Sequence, residues 1–133
     1  MKKLKPTDSE LQVLQILWEK KAATVREIND LLNQVKEVGY TTTLKIMQIM
    51  LEKGLLSRES SGRQHIYQAE VQQTEVQRNL LGRFIDATFK GNATALVMQA
   101  LGNHDASSEE LAQIKALIEK MESTSVNSNT DNS

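Results

Sequence analysis

Residues 41–68 read TTTLKIMQIMLEKGLLSRESSGRQHIYQ, and this stretch decides the fold. At about 100° per residue its first half puts Leu44, Met47, Met50 and Leu51 on one side of a helix, and Gly54 stands where a glycine commonly ends one. Its second half holds two short extended runs, Leu55-Leu56-Ser57-Arg58-Glu59 and His65-Ile66-Tyr67-Gln68, around Ser60-Ser61-Gly62-Arg63-Gln64, the pattern of a hairpin. Upstream, Thr7-Asp8-Ser9-Glu10 and Thr24-Val25-Arg26-Glu27 both have the S/T-x-x-E form of a capping box. They head apolar series at helical spacing, Leu11, Leu14, Leu17 and Trp18 in the first and Val25, Ile28, Leu31 and Leu32 in the second. Helices are expected over about residues 8–20 and 25–34, with Thr41 capping the third after a polar linker that contains Gly39. Helix, helix, helix, hairpin is the order of a winged helix-turn-helix, here expected over residues 1–70.

Downstream the helical period returns, with Val76, Leu80, Phe84 and Leu81, Ile85, Phe89 stepping by four towards Gly91. A short helix is expected over about residues 93–101, and Ser107-Ser108-Glu109-Glu110 caps another whose seam is Leu111, Ile114, Leu117, Ile118 and Met121. Three short helices are too few to enclose Leu80, Phe84, Leu96, Leu111, Ile114, Leu117 and Ile118 by themselves. A second copy of the chain would enclose them, so residues 71–122 are read as a helical dimerisation region. The alternative is that they fold back on their own N-terminal domain. Residues 123–133 are mostly Ser, Thr and Asn and are expected to form a disordered polar tail. The fold class is therefore mainly α with a small β-hairpin.

With 133 residues, 39% hydrophobic and 25% charged, the composition is that of a soluble globular protein. Apolar runs fall far short of the ~20 residues that cross a bilayer, and Met1-Lys2-Lys3-Leu4-Lys5 leads into Pro6 rather than a signal-peptide core, so a cytoplasmic location is expected. The absence of cysteine excludes disulfides, thiolate metal sites and thiol nucleophiles. The net charge of −1 conceals an asymmetry: residues 1–70 hold 11 Lys and Arg against 9 Asp and Glu, residues 71–133 hold 5 against 8. An enzyme would need a nucleophile with a base, a phosphate-binding glycine loop or a metal cluster, and none is present in the sequence. His65 falls on the hairpin and His104 in a loop, far apart, and Glu109 and Glu110 suit the first turn of a helix. No catalytic residue, cofactor or metal site is expected.

Opposite the apolar side of the third helix lie Thr41, Thr42, Lys45 and Gln48, with Ile49 and, at the edge, Ile46. Hydroxyl, amide and ammonium groups reach base edges or phosphates in a major groove, and an aliphatic side chain can touch a thymine methyl. Arg58 and Arg63 flank the hairpin tip, where a wing would meet the phosphate backbone. Two other readings stay open: an ordinary solvated helix whose isoleucines meet the rest of the domain, and a winged helix that docks proteins without binding DNA.

The chain resembles the BlaI/MecI/CopY-type repressors of penicillinase and copper-resistance genes. The resemblance spans about residues 4–121. It rests on Thr7-Asp8-Ser9-Glu10-Leu11-Gln12-Val13-Leu14 with Ile16-Leu17-Trp18, on Tyr40-Thr41-Thr42-Thr43-Leu44, and on Glu52-Lys53-Gly54-Leu55-Leu56 leading into Gly62-Arg63. It implies a homodimeric repressor on a palindromic, inverted-repeat operator in double-stranded DNA, with helix three in the major groove. Carried over by position, the contacts fall on Thr42, Thr43, Lys45 and the wing around Arg63, Lys45 standing where several members have Arg. A copper-responsive member would carry a cysteine cluster near its C-terminus, and this chain has none. In the penicillinase repressors a protease linked to a membrane sensor cuts an Asn-Phe bond, at a place that aligns here with Gln99-Ala100, so the cut-site residues are missing.

Overall fold

The computed structural model describes residues 5–103 and 105–131, with side chains as far as Thr124. Its elements run α1 (Asp8–Lys20), α2 (Val25–Asn33), α3 (Tyr40–Lys53), β1 (Leu56–Ser61), β2 (Gln64–Ala69), α4 (Gln73–Phe89), α5 (Ala93–Asn103) and α6 (Ser108–Asp131). Mostly helical with one antiparallel hairpin, this is the winged-helix order the sequence leads to.

Both N-terminal capping boxes form. Thr7 and Thr24 accept from the backbone of Glu10 and Glu27, and each glutamate reaches back to its cap's own N–H, which serves donors that a helix leaves without a partner. Glu10 also bridges two helices. Buried on α1, it accepts from Lys53 Nζ of α3 at 2.8 and 3.0 Å, which pairs its charge and links α1 to α3. The third helix starts two residues earlier than expected. Gly39, extended at φ −76° and ψ 158°, is its N-cap and makes no side-chain cap, so Thr41 lies inside the first turn and caps nothing. At the other end Gly54 takes the left-handed conformation, φ 84°, its N–H bonds to Leu51 O and that of Leu55 to Met50 O. This reversal turns the chain into β1 while leaving Met50 and Leu55 both buried.

The hairpin pairs Leu56 with Ala69 through Ser61 with Gln64, leaving Gly62 and Arg63 as a two-residue turn. Gly62 has φ 67° and Arg63 has no positive φ, as a type II′ turn requires. Ala23, in the loop between α1 and α2, exchanges two backbone hydrogen bonds with Tyr67, so β2 is joined on its other side to the segment that enters α2. Tyr67 is buried beside Val13, Leu14, Leu17, Val25, Ile28, Met47 and Met50, one core shared by three helices and the hairpin. The compact N-terminal unit runs Met1–Phe84. The chain after the hairpin is still tied in: the Trp18 indole N–H donates to Val71 O at 2.9 Å, and Val76 of α4 is fully buried.

The second unit, Ile85–Ser133, is helical throughout its named elements. Gly91 at φ 82° closes α4, Asn92 caps α5, and Ser107 and Glu110 form a capping box for α6. α6 runs Ser108–Asp131, into the residues expected to form the polar tail. His104 lies outside the described residues. Among the described residues no helix is long and apolar enough to cross a membrane.

The turn between α2 and α3 is held by two asparagines. Asn29 Nδ2 donates to Val38 O at 3.0 Å and to Thr43 Oγ1 at 2.7 Å, while Asn33 accepts from Val38 N–H and donates to Val38 O. Asn29→Leu would leave the buried Thr43 hydroxyl without this donor. It is expected to lower stability by ~1 to 3 kcal/mol in a urea titration, and an unchanged midpoint would show that the clamp contributes nothing.

Candidate nucleic-acid interface

The buried side of α3 is set by Thr43, Met47 and Met50, with Leu44 and Leu51 partly buried against the same core. The opposite side follows from the helical period. Thr41, Lys45 and Gln48 project from it as an exposed polar ridge, and Thr42 is exposed at its edge. Ile49 lies beside the ridge with 38% of its surface open, whereas Ile46 packs partly against the core. Of the two lysines of α3, Lys53 is committed to Glu10, and Lys45 makes no ion pair among the described residues.

Thr43 departs from the expectation that placed it on DNA. Its side chain is fully buried and its hydroxyl accepts from Asn29 Nδ2. Two residues from both Thr41 and Lys45, it lies about 160° round the helix from each, on the core side. Its hydroxyl holds the interhelical turn rather than facing outward. The two arginines of the hairpin also differ. Arg63 is exposed in the two-residue turn at the tip, while Arg58 lies across the ladder from Tyr67 and donates to its hydroxyl at 3.2 Å.

The ridge is bordered by two recesses. One is lined by Ser9 and Gln12 of α1, Leu32 and Val38, and Thr42 and Ile46 of α3. The other lies between the start of α2, the start of α3 and the hairpin, with Arg26, Tyr40, Arg63 and His65 among its lining residues. Sequence reasoning gave Arg26 and Tyr40 no role on DNA. Arg26 was legible only as an interior letter of a capping box, and the pairing of its guanidinium with the Tyr40 ring needs two helices to meet.

In the C-terminal unit Leu111 and Leu117 of α6 are 48% and 56% exposed, Ile118 is similarly open, and Ile114 is half-buried. In the N-terminal unit Phe84 is half exposed and Leu80 half-buried. Gln99 and Ala100 are exposed within α5, and Ala100 borders a recess that Ile114 also lines.

The chain is similar to known repressors in sequence and in fold. The family model described as penicillinase repressor matches residues 6–120. The methicillin resistance regulatory protein MecI of Staphylococcus aureus (strain N315) is 22% identical over 114 residues, covering 86% of this chain and 93% of the relative. The penicillinase repressor of Bacillus licheniformis is 25% identical over 120 residues, with 86% and 89% covered. The solved DNA binding domain of the repressor BlaI superposes with a TM-score of 0.50 at 22% identity, covering 56% of this chain and 93% of that domain, and so shares the fold. The match runs from before the first capping box to near the end of the α6 seam, and on it the chain belongs to the penicillinase repressor family.

Proposed function

We propose that this chain is a homodimeric transcriptional repressor that binds an inverted-repeat operator, with α3 in the major groove and the hairpin tip on the adjacent phosphate backbone. Membership of a family of DNA-binding repressors supports the coarse function. The exposed ridge of Thr41, Lys45 and Gln48, with Thr42 beside it, carries the placing of α3 on DNA. These groups donate and accept hydrogen bonds, sit on one face of a helix, and are offered outward by a core that holds the opposite face rigidly. Arg63 at the tip and Arg58 on the strand supply cations for phosphates.

The reading of residues as a dimer contact rests on the helical unit. Leu111, Leu117, Ile118 and Met121 leave one helix half-open to water, with Val97, Met98 and Leu101 exposed on α5. Such a concentration of large apolar side chains is characteristic of an interaction surface. A second copy is the occupant that also matches a palindromic site, since two-fold symmetric DNA is read by a two-fold symmetric protein. Such a repressor works where the DNA is, in the cytoplasm. Its release fits a sensor-protease partner whose pocket differs from one shaped for an aromatic residue, or a route that leaves the chain intact, because Gln99-Ala100 stands at the cut position.

Sedimentation is expected to show a dimer, and Leu117→Asp to yield a monomer with weakened operator binding, because an unpaired carboxylate in an apolar contact costs several kcal/mol. A monomeric wild-type chain that binds DNA tightly would overturn the dimer. Selection from a random duplex pool should return a two-fold symmetric site. Thr42→Ala and Lys45→Ala should then lose ~1 to 3 kcal/mol of discrimination, whereas Arg63→Ala should weaken all duplexes alike. Enrichment of no sequence would return the protein-docking reading. Immunoblots during induction should show poor cutting at Gln99-Ala100 by a staphylococcal-type sensor protease, and efficient cutting there would sink the pocket-mismatch argument.

A further inference from the structure

The recess beside the start of α3 joins cations from two separate elements. Arg26, in the first turn of α2, lays its guanidinium over the Tyr40 ring with Cζ 5.4 Å from the centroid, and Arg63 and His65 line the same recess of about 190 Å³ from the hairpin. No aspartate or glutamate is among its lining residues, and neither arginine is in an ion pair among the described residues. On α2, Glu27 is turned to the Thr24 N–H by its capping box, and Asp30, one turn on from Arg26, makes no ion pair with it. Positive charge is thus collected in one place while the chain as a whole is slightly negative.

We propose that this recess is a phosphate-holding site in its own right, in which Arg26, steadied on Tyr40, acts together with Arg63 on one backbone phosphate of the duplex at the flank of α3. It rests on the DNA-binding reading above and adds a residue that the family resemblance does not assign. A guanidinium held against a ring by cation–π attraction keeps N–H groups for phosphate oxygens, and a side chain already held in place loses less freedom on binding. The spacing of the two arginines is set by bonded structure. The double hydrogen bond between Ala23 and Tyr67 fixes β2 to the residue that precedes the α2 cap, Arg26 follows that cap within one turn, and Arg63 ends a tight ladder of six pairs. Arg26 therefore adds to affinity for any sequence and carries no base preference.

Fluorescence anisotropy of the full chain on its selected site and on a random-sequence duplex, across a potassium chloride titration, tests the assignment. Arg26→Gln is expected to weaken binding to both duplexes about tenfold and to flatten the salt slope by about one unit, with base preference unchanged. Tyr40→Leu should act in the same direction with a smaller loss. Arg26→Lys should keep the slope, because the charge remains, and lose part of the affinity, because an ammonium lacks the guanidinium's fixed fork of N–H donors. Matching urea midpoints for Arg26→Lys and wild type keep the comparison within folded protein. Wild-type affinity and slope in Arg26→Gln would overturn the site while leaving the DNA-binding reading intact, as would a changed base preference. A wild-type chain that bound no duplex would remove both.

Discussion

The side-chain amide of Asn29 is the contact on which the outward face of α3 depends. Buried between α2 and α3, it spends one N–H on Val38 O and the other on Thr43 Oγ1, and so joins the first helix, the turn and the second helix of the pair in a single bonded unit. Asn33 completes the hold on the Val38 peptide from the same face of α2. The turn has no core of its own. Its backbone geometry is kept by these bonds, and a shift there would rotate every residue of the ridge together.

A second constraint places the hairpin. Two backbone bonds between Ala23 and Tyr67 bridge the loop before α2 to β2 at a single residue, and the Tyr67 ring enters the core among Leu14, Ile28 and Met47. The hairpin is therefore positioned by burial and by that bridge, not by its turn. Lys53 and Glu10 do the corresponding work at the far end of α3, where a buried carboxylate is matched to the lysine of the last turn. The rigid parts of the N-terminal unit thus present a polar ridge, a basic tip and the recess between them as one surface. The C-terminal unit is organised differently: its helices are well capped but leave Leu111, Leu117 and Ile118 substantially open. Caps define where helices begin and end, whereas enclosure needs apolar surface from somewhere else.

Local signals in the sequence determined the helix starts at Thr7, Thr24 and Ser107, the glycine ends at Gly54 and Gly91, the hairpin and the ridge of Thr41, Lys45 and Gln48, because a cap, a left-handed residue and a 3.6-residue period are written within a few neighbouring positions. What only the tertiary structure decided involves partners distant in the chain. The helical period already sets Thr43 with Met47 and Met50, and only the family resemblance placed it on DNA; what no local signal shows is that its hydroxyl meets an asparagine fourteen residues earlier and makes it a buried clamp. Arg26 read as part of a cap and lies on the ring of Tyr40, and Trp18 read as core and also anchors Val71. In each case the deciding bond spans elements that come together only when the core packs, and no period or cap within either segment encodes it.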